Sequence, residues 1–376
     1  MKFSINKSIL LKALVLTGNG IAQKSVIPIL SDYLFKFEGS SVHITGGSEG
    51  FFVSTTIDIF GEAFTKAIAI PGSKLLNIVK AIPDQPIEFT ITEKQEGKTK
   101  SIVLKMKTST GNYNIPVEEG ADYPQMPVTE VVSFDVELKP LVATLNKTLF
   151  ACSDDSLRPS LTGIFMSFDQ KQATFVGCNG HIVSVQVFPV EFEKKESFVV
   201  PTRILSVLQQ VLTGETVNIS FGTNNIHVKD SAGVELKSLL IDEKYVDYEP
   251  VIPIKQDKHV IVNVPQLMGA IKRVSLFTEL PADTVKIVFS GTNCIVSAKN
   301  TFGEDASEEL SIQYNGEEIA FGASAKQFTT CLSKLDKEEA NILLTSPNRA
   351  IVMADDATTI DTKKQLFLMM PFILPD

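Results

Sequence analysis

Apolar positions recur every three to four residues in six segments of the chain, and these segments fall into two families. The first family runs from an extended stretch into a helical pattern: Phe3-Ser-Ile-Asn-Lys-Ser-Ile-Leu-Leu-Lys-Ala-Leu, then Phe134-Asp-Val-Glu-Leu-Lys-Pro-Leu, then Val260-Ile-Val-Asn-Val-Pro-Gln-Leu. Leu10, Leu141 and Leu267 correspond, at offsets of 131 and 126. The second family again reads strand then helix: Ala67-Ile-Ala-Ile-Pro-Gly-Ser-Lys-Leu-Leu, Ser197-Phe-Val-Val-Pro-Thr-Arg-Ile-Leu, and Glu318-Ile-Ala-Phe-Gly-Ala-Ser-Ala-Lys-Gln-Phe. Lys74, Arg203 and Lys326 align at offsets of 129 and 123. Two independent landmarks with one period predict three copies of one domain.

Between the helical segments the chain alternates apolar and polar residues, as in Ser41-Val-His-Ile-Thr and Phe52-Val-Ser-Thr-Thr-Ile-Asp-Ile, which predicts half-buried strands. Asp122-Tyr-Pro-Gln-Met-Pro and Asp247-Tyr-Glu-Pro-Val-Ile-Pro lie 125 residues apart and put proline where a linker is needed. The reading is an α+β fold: three tandem copies of a two-helix, antiparallel-sheet domain, with boundaries at 1–127, 128–253 and 254–376.

With 376 residues, 44% of them hydrophobic and 21% charged, the chain has ample material for several cores and is not a disordered or repetitive polymer. Its longest apolar run, Leu366–Leu374, is too short to cross a bilayer. Lys2 and Lys7 precede an apolar stretch at Ile9–Leu16, but Lys12 interrupts it, so the chain reads as mature from its first residue. Cys152, Cys178, Cys294 and Cys331 are widely spaced, without metal-ligand or disulfide patterning, which fits a reduced, cytoplasmic protein.

The net charge of −9 argues against a nucleic-acid partner until its distribution is considered. Lys7, Lys12, Lys24, Lys74, Lys80, Lys139, Lys147, Arg203, Lys272, Arg273, Lys326 and Lys334 fall on or beside the six helical segments, against Glu279 alone. If those helices share a face, it is basic while the remainder of the chain is strongly acidic. Such a face attracts phosphates, and its lack of clustered Arg, Asn and Gln means it does not read base edges.

Catalytic readings are weaker. Cys178 and His181 could be a thiol and its base, but no third group or oxyanion site accompanies them. Asp154-Asp155 and Asp355-Asp356 read as solvated loop acids, and His43, His227 and His259 lack ligand spacing, so no metal or cofactor is expected. No glycine-rich nucleotide-binding motif is present. A three-domain extracellular binding or scaffold protein whose helices merely cover its sheets, and an enzyme using the His181 neighbourhood, remain as rival readings.

Across nearly its whole length the chain resembles the bacterial sliding clamp family, the beta subunit of DNA polymerase III. The resemblance rests on Met1-Lys-Phe-Ser-Ile, Ile27-Pro-Ile-Leu, Ile70-Pro-Gly-Ser-Lys-Leu-Leu, Ala121-Asp-Tyr-Pro, Phe150-Ala-Cys-Ser-Asp-Asp-Ser-Leu-Arg-Pro-Ser-Leu-Thr-Gly, Asn179-Gly-His, Asp247-Tyr and Met370-Pro. It implies a non-enzymatic, head-to-tail homodimeric ring around double-stranded DNA that tethers the polymerase III catalytic subunit, the clamp loader and other proteins of replication and repair.

Family positions facing DNA fall on Lys24, Lys74, Lys80, Arg158 and Arg203. Ser73 replaces a residue that is often basic, and Asp155 one that is usually uncharged. A hydrophobic peptide groove between the second and third domains is implied at Leu161, Cys178, Gly180, His181 and Val183; at Val246, Pro250, Val251 and Asn348; and at Leu368, Met370, Pro371, Phe372 and Leu374. Ile182 and Ile373 replace common arginines, and Pro375-Asp376 extends past the usual end. The implied dimer seam joins Leu276 and Phe277 to Leu75 and Ile78.

Overall fold

The computed structural model describes residues 1–22, 24–96, 99–127, 132–192, 195–253, 257–279, 283–358 and 363–374. The Pro375-Asp376 extension lies outside them. Six helices are present among these residues: α1 (Lys7–Gly18), α2 (Gly72–Ala81), α3 (Leu138–Thr148), α4 (Thr202–Val211), α5 (Val264–Val274) and α6 (Ala325–Leu332). Local chemistry explains their limits. In α5 the Asn263 side chain accepts from the Gln266 amide at 3.0 Å, and Pro265 stands in the first turn, where its missing N–H costs nothing. In α6 Ser324 accepts from the Gln327 amide at 3.2 Å.

The chain forms two compact units, Met1–Lys139 with Arg203–Leu240, and Pro140–Thr202 with Ile241–Asp376. The central repeat is thus divided between them. In the first unit a thirteen-stranded sheet system runs from Val132–Glu137 through Thr216–Phe221, Asn225–Asp230 and Glu235–Leu239 to Phe51–Asp58, and on through the strands of the first repeat. In the second unit an eight-stranded system runs Glu196–Pro201, Gly163–Asp169, Gln172–Cys178, Ile182–Pro189, Leu366–Met369, Ile351–Ala354, Glu339–Leu344, Lys258–Asn263. A four-stranded sheet, Asp305–Ser311, Asn293–Lys299, Thr284–Ser290, Ile319–Ser324, completes that unit.

Each long system is made by annealing strand edges from different repeats, and the two seams share one register. Lys237 pairs with Phe52 and Ser238 with Phe51 in the first unit. Leu368 pairs with Val183 and Met369 with Ile182 in the second, each 131 residues further along. Pairing edge to edge satisfies backbone groups that an exposed strand would leave open to other chains.

Alternation along the strands and periodicity along the helices meet in the cores. Leu10, Leu14, Leu75 and Val79 of the paired α1 and α2 pack on Phe35, Phe37, Ile68 and Phe89. Leu267, Ile271 and Val274 of α5 and Phe328 of α6 do the same over Ile287, Phe289 and Phe321. The 131-residue period reaches single contacts. Gly46 and Gly177 each bring a strand so close to a helix end that an added Cβ would lie 2.1 Å from the Thr17 carbonyl oxygen or 2.4 Å from that of Thr148. Backbone cannot yield as a side chain would, so Gly46→Ala and Gly177→Ala should each cost about 2–3 kcal/mol, read from urea unfolding curves.

Candidate functional site

None of the six helices contains an aspartate or glutamate, whereas Lys7, Lys12, Lys74, Lys80, Lys139, Lys147, Arg203, Lys272, Arg273 and Lys326 all lie on them. Lys24 and Lys334, grouped with the helices on sequence, fall just beyond α1 and α6, and Glu279 follows the turn after α5. The apolar stripes are buried and most of the cations are exposed.

Four of the five expected DNA-facing residues belong to the first unit. Lys74 and Lys80 project from α2, and Lys24 is exposed in the segment after α1. That segment approaches the α2 N-terminus through Ile21, whose Cδ1 would lie 3.3 Å from a Cβ on Gly72. Arg203, at the start of α4, donates through Nη2 to the Gly20 carbonyl at 3.1 Å and lies 4.8 Å from the Phe51 ring centroid. Burial lowers its pKa against the pull of Glu49, and the guanidinium is a structural fastener as well as a charge. Arg158 belongs to the second unit, exposed, with Nη1 3.7 Å from where a Gly180 Cβ would sit. It therefore borders the groove loop.

Two helix cations are neutralised locally, which the charge count along the sequence does not show. Arg273 makes a bidentate pair with Glu308, at 2.7 and 2.6 Å, and Lys147 meets Asp336 at 2.5 Å. Lys334 rests 5.7 Å above the Phe150 ring. The outward charge of the third repeat is weaker than its cation count implies.

The expected groove residues divide into a floor and a rim. Leu161, Cys178, Val183 and Leu368 are buried in one apolar cluster with Tyr245, Ile252, Ala350 and Val352, so they supply a packed floor and little contact surface. Val246, Pro250, Val251, Gly180, His181, Asn348 and Met370 are exposed around it, and Pro371 is partly so. The loop between strands is tightly built: Asn179 Oδ1 accepts from the His181 and Ile182 amides at 2.9 and 2.8 Å, and Gly180 takes a φ of +90°. The Met370 amide donates to the His181 carbonyl at 2.9 Å, which ties the C-terminal segment to this loop. Phe372 and Leu374 are partly exposed beyond Pro371. Phe372 exchanges backbone hydrogen bonds with Gly322 of the four-stranded sheet, and Leu374 packs on the same glycine. Ile182 is buried in the third repeat's core, while Ile373 is fully presented to solvent.

Cys178 does not have the environment of a nucleophile. Burial raises its thiol pKa, outweighing the Gly180 amide that points at Sγ from 3.4 Å, and neighbouring Cys152 is pushed up to about 12 by the same cause.

Of the expected seam residues, Leu75 is corrected by the structure: it is completely buried in the first core and has no side-chain surface for a partner. Ile78 is partly exposed, Phe277 is packed largely against the third repeat's core, and Leu276 is 81% exposed. Periodicity marks all four as apolar but does not separate the inward from the outward ones.

Three sheet-and-helix repeats, each helix free of acids, joined in register and flanked by an apolar groove, define a multi-repeat β-sheet protein with an electropositive helical surface. The sequence matches the DNA polymerase III beta subunit in all three parts: its N-terminal domain over residues 1–127, its central domain over 135–247 and its C-terminal domain over 249–370. The chain belongs to the DNA polymerase III beta subunit family. It is 22% identical to the beta sliding clamp of Pseudomonas aeruginosa and 22% identical to that of Escherichia coli, in each case over the whole of both chains. It is 26% identical to the Treponema pallidum clamp, covering 94% of this chain and 95% of that one. A crystal structure of the P. aeruginosa clamp bound to griselimycin superposes with a TM-score of 0.90 at 23% identity, covering 100% of both chains.

Proposed function

We propose that this chain is a DNA sliding clamp, a processivity factor in which three repeats (1–127, 128–253 and 254–376) close with a second copy, head to tail, into a ring around duplex DNA. The observation that carries this reading is the complete absence of acidic residues from six helices of a chain whose net charge is −9. Long-range attraction to phosphates with no base-edge recognition lets a protein hold DNA and still slide. Topological closure then supplies retention that the weak individual contacts do not. A heterologous interface that closes also leaves no free strand edges.

Lys24, Lys74, Lys80, Arg158 and Arg203 are proposed as the DNA contacts, with Leu276 and Ile78 at the seam. The groove around Val246, Val251 and Met370 is proposed to take short linear motifs from the polymerase III catalytic subunit, the clamp loader and repair proteins. Tethering through such a motif makes polymerase rebinding intramolecular, at high effective concentration. In this reading the protein works in the cytoplasm, needs no cofactor and catalyses nothing. The raised thiol pKa of Cys178 weighs against a cysteine nucleophile at that position.

Loading onto nicked circular DNA tests the proposal. The protein should stay on the circle through a wash at about 0.5 M salt, which dissolves open electrostatic complexes, and leave when the circle is linearised. Equal retention on linear and circular DNA would overturn it.

A further inference from the structure

The first unit contains a cavity of about 340 Å³ where the Asp122-Tyr-Pro-Gln-Met-Pro linker crosses the first strand seam. It is large enough to be a ligand pocket. Its apolar wall includes Leu30, Phe52, Met126 and Leu239. Val26 and Ile27 stand exposed at the same edge, and Leu239 is 44% exposed.

The 131-residue period explains what this cavity is. Leu30, Gly50, Phe52 and Leu239 correspond to Leu161, His181, Val183 and Met370, residues of the floor and rim of the groove at the second seam. The turn Pro28–Ser31 likewise repeats as Pro159–Thr162. The same strand register therefore underlies this cavity and the residues of the proposed groove.

The two differ in their polar groups, which sets the occupant. At the first seam Glu49 lines the cavity where Gly180 stands at the second, and it is the one ionisable residue in the described lining. Its carboxylate accepts from the Ser25 hydroxyl at 2.7 Å and the Val26 amide at 3.0 Å, bonds that favour the ionised form. Asn225, only 5% exposed, donates through Nδ2 to the Pro127 carbonyl, while its Oδ1 has no hydrogen-bond partner among the described residues. A guanidinium stands near each seam, Arg203 on the Phe51 ring and within the field of Glu49 at the first, and Arg158 beside Gly180 at the second, so Glu49 is the feature that the second seam lacks.

We propose that the first-seam cavity is a second peptide-docking site, which takes a bulky apolar side chain carried on a short cationic segment of a partner protein. An apolar anchor fills the pocket, a Lys or Arg beside it meets Glu49, and a backbone amide meets Asn225. The assignment of a peptide as occupant rests on the peptide-binding reading of the second groove.

The test uses the full-length protein and two labelled probes in anisotropy titrations: an acetylated Lys-Lys-Leu-Phe-Lys peptide with its Glu-flanked counterpart, and peptides tiled along the polymerase III catalytic subunit. The cationic probe should bind at least tenfold tighter than the acidic one. Leu239→Arg and, independently, Glu49→Lys should each weaken it at least tenfold, with Met370→Arg within twofold of wild type. Tiled peptides should show the reverse, weakened by Met370→Arg and unaffected by Leu239→Arg. Both substituted first-seam residues border solvent, and an unchanged thermal midpoint confirms folding. A cationic probe that does not bind, shows no charge preference, or responds to Met370→Arg instead of the first-seam variants overturns the second site. If no tiled peptide depends on Met370, the groove reading fails separately.

Discussion

Replacing Lys24, Lys74 and Lys80 together with glutamate is expected to cost at least a hundredfold in association with duplex DNA at about 0.1 M salt. All three side chains are exposed around α1 and α2, and neither helix contains an acid to dilute the effect. Each phosphate contact adds about 0.9 to the slope of log affinity against log salt, so losing three should flatten that slope by about 2.7 units. The reversed charges add repulsion on top. Filter binding across a salt series measures both, and a slope unchanged from wild type would show that the helices do not face DNA. Arg203 is left out of the set deliberately. Its bond to Gly20 and its seat on Phe51 make its removal a packing defect as well as a charge change.

Leu276→Asp should weaken the dimer at least a hundredfold and leave the subunit folded. A leucine taken from water contributes about 2 kcal/mol, each ring has two seams, and an aspartate buried in either would also have to shed its hydration. Because Leu276 is 81% exposed in the isolated chain, the same change should move the thermal midpoint by no more than about 2 °C. Sedimentation at micromolar concentration should show monomer, and an intact dimer would place the seam elsewhere. Phe277→Asp is the poorer experiment. Phe277 packs against the third repeat's core, so its loss should unfold the region by about 3 kcal/mol and confuse dissociation with destabilisation.

That contrast shows where the sequence is legible. The six helices, the α+β class and the repeat follow from periodicity, since an amphipathic segment carries its own pattern in the chain. What the pattern omits is the partner across the fold. Leu75 and Leu276 look alike along the chain, yet one is enclosed and the other bare, because tertiary packing decides which apolar residues find a neighbour. Arg273 and Lys147 count as free cations until the strand Asp305–Ser311 and the segment after α6 bring Glu308 and Asp336 to them. Nor does the pattern show that Phe372 pairs through its backbone with Gly322 of another sheet. The cavity at the first seam leaves no mark in the sequence for the same reason. Its walls come from five separate stretches of chain, and the Glu49 and Asn225 that distinguish it carry no local motif.

The shared register at the two seams also constrains how the molecule can be taken apart. A fragment cut to the central repeat would bare Ile182–Pro189 and Glu235–Leu239 at once, two hydrogen-bonding borders that are saturated in the intact chain. Such a piece would solve its problem by recruiting copies of itself, so dissection by repeat should produce aggregates where dissection of a beaded protein produces soluble modules. Mechanical continuity follows from the same stitching. A load applied to one repeat must shear several backbone bonds in parallel before its neighbour parts.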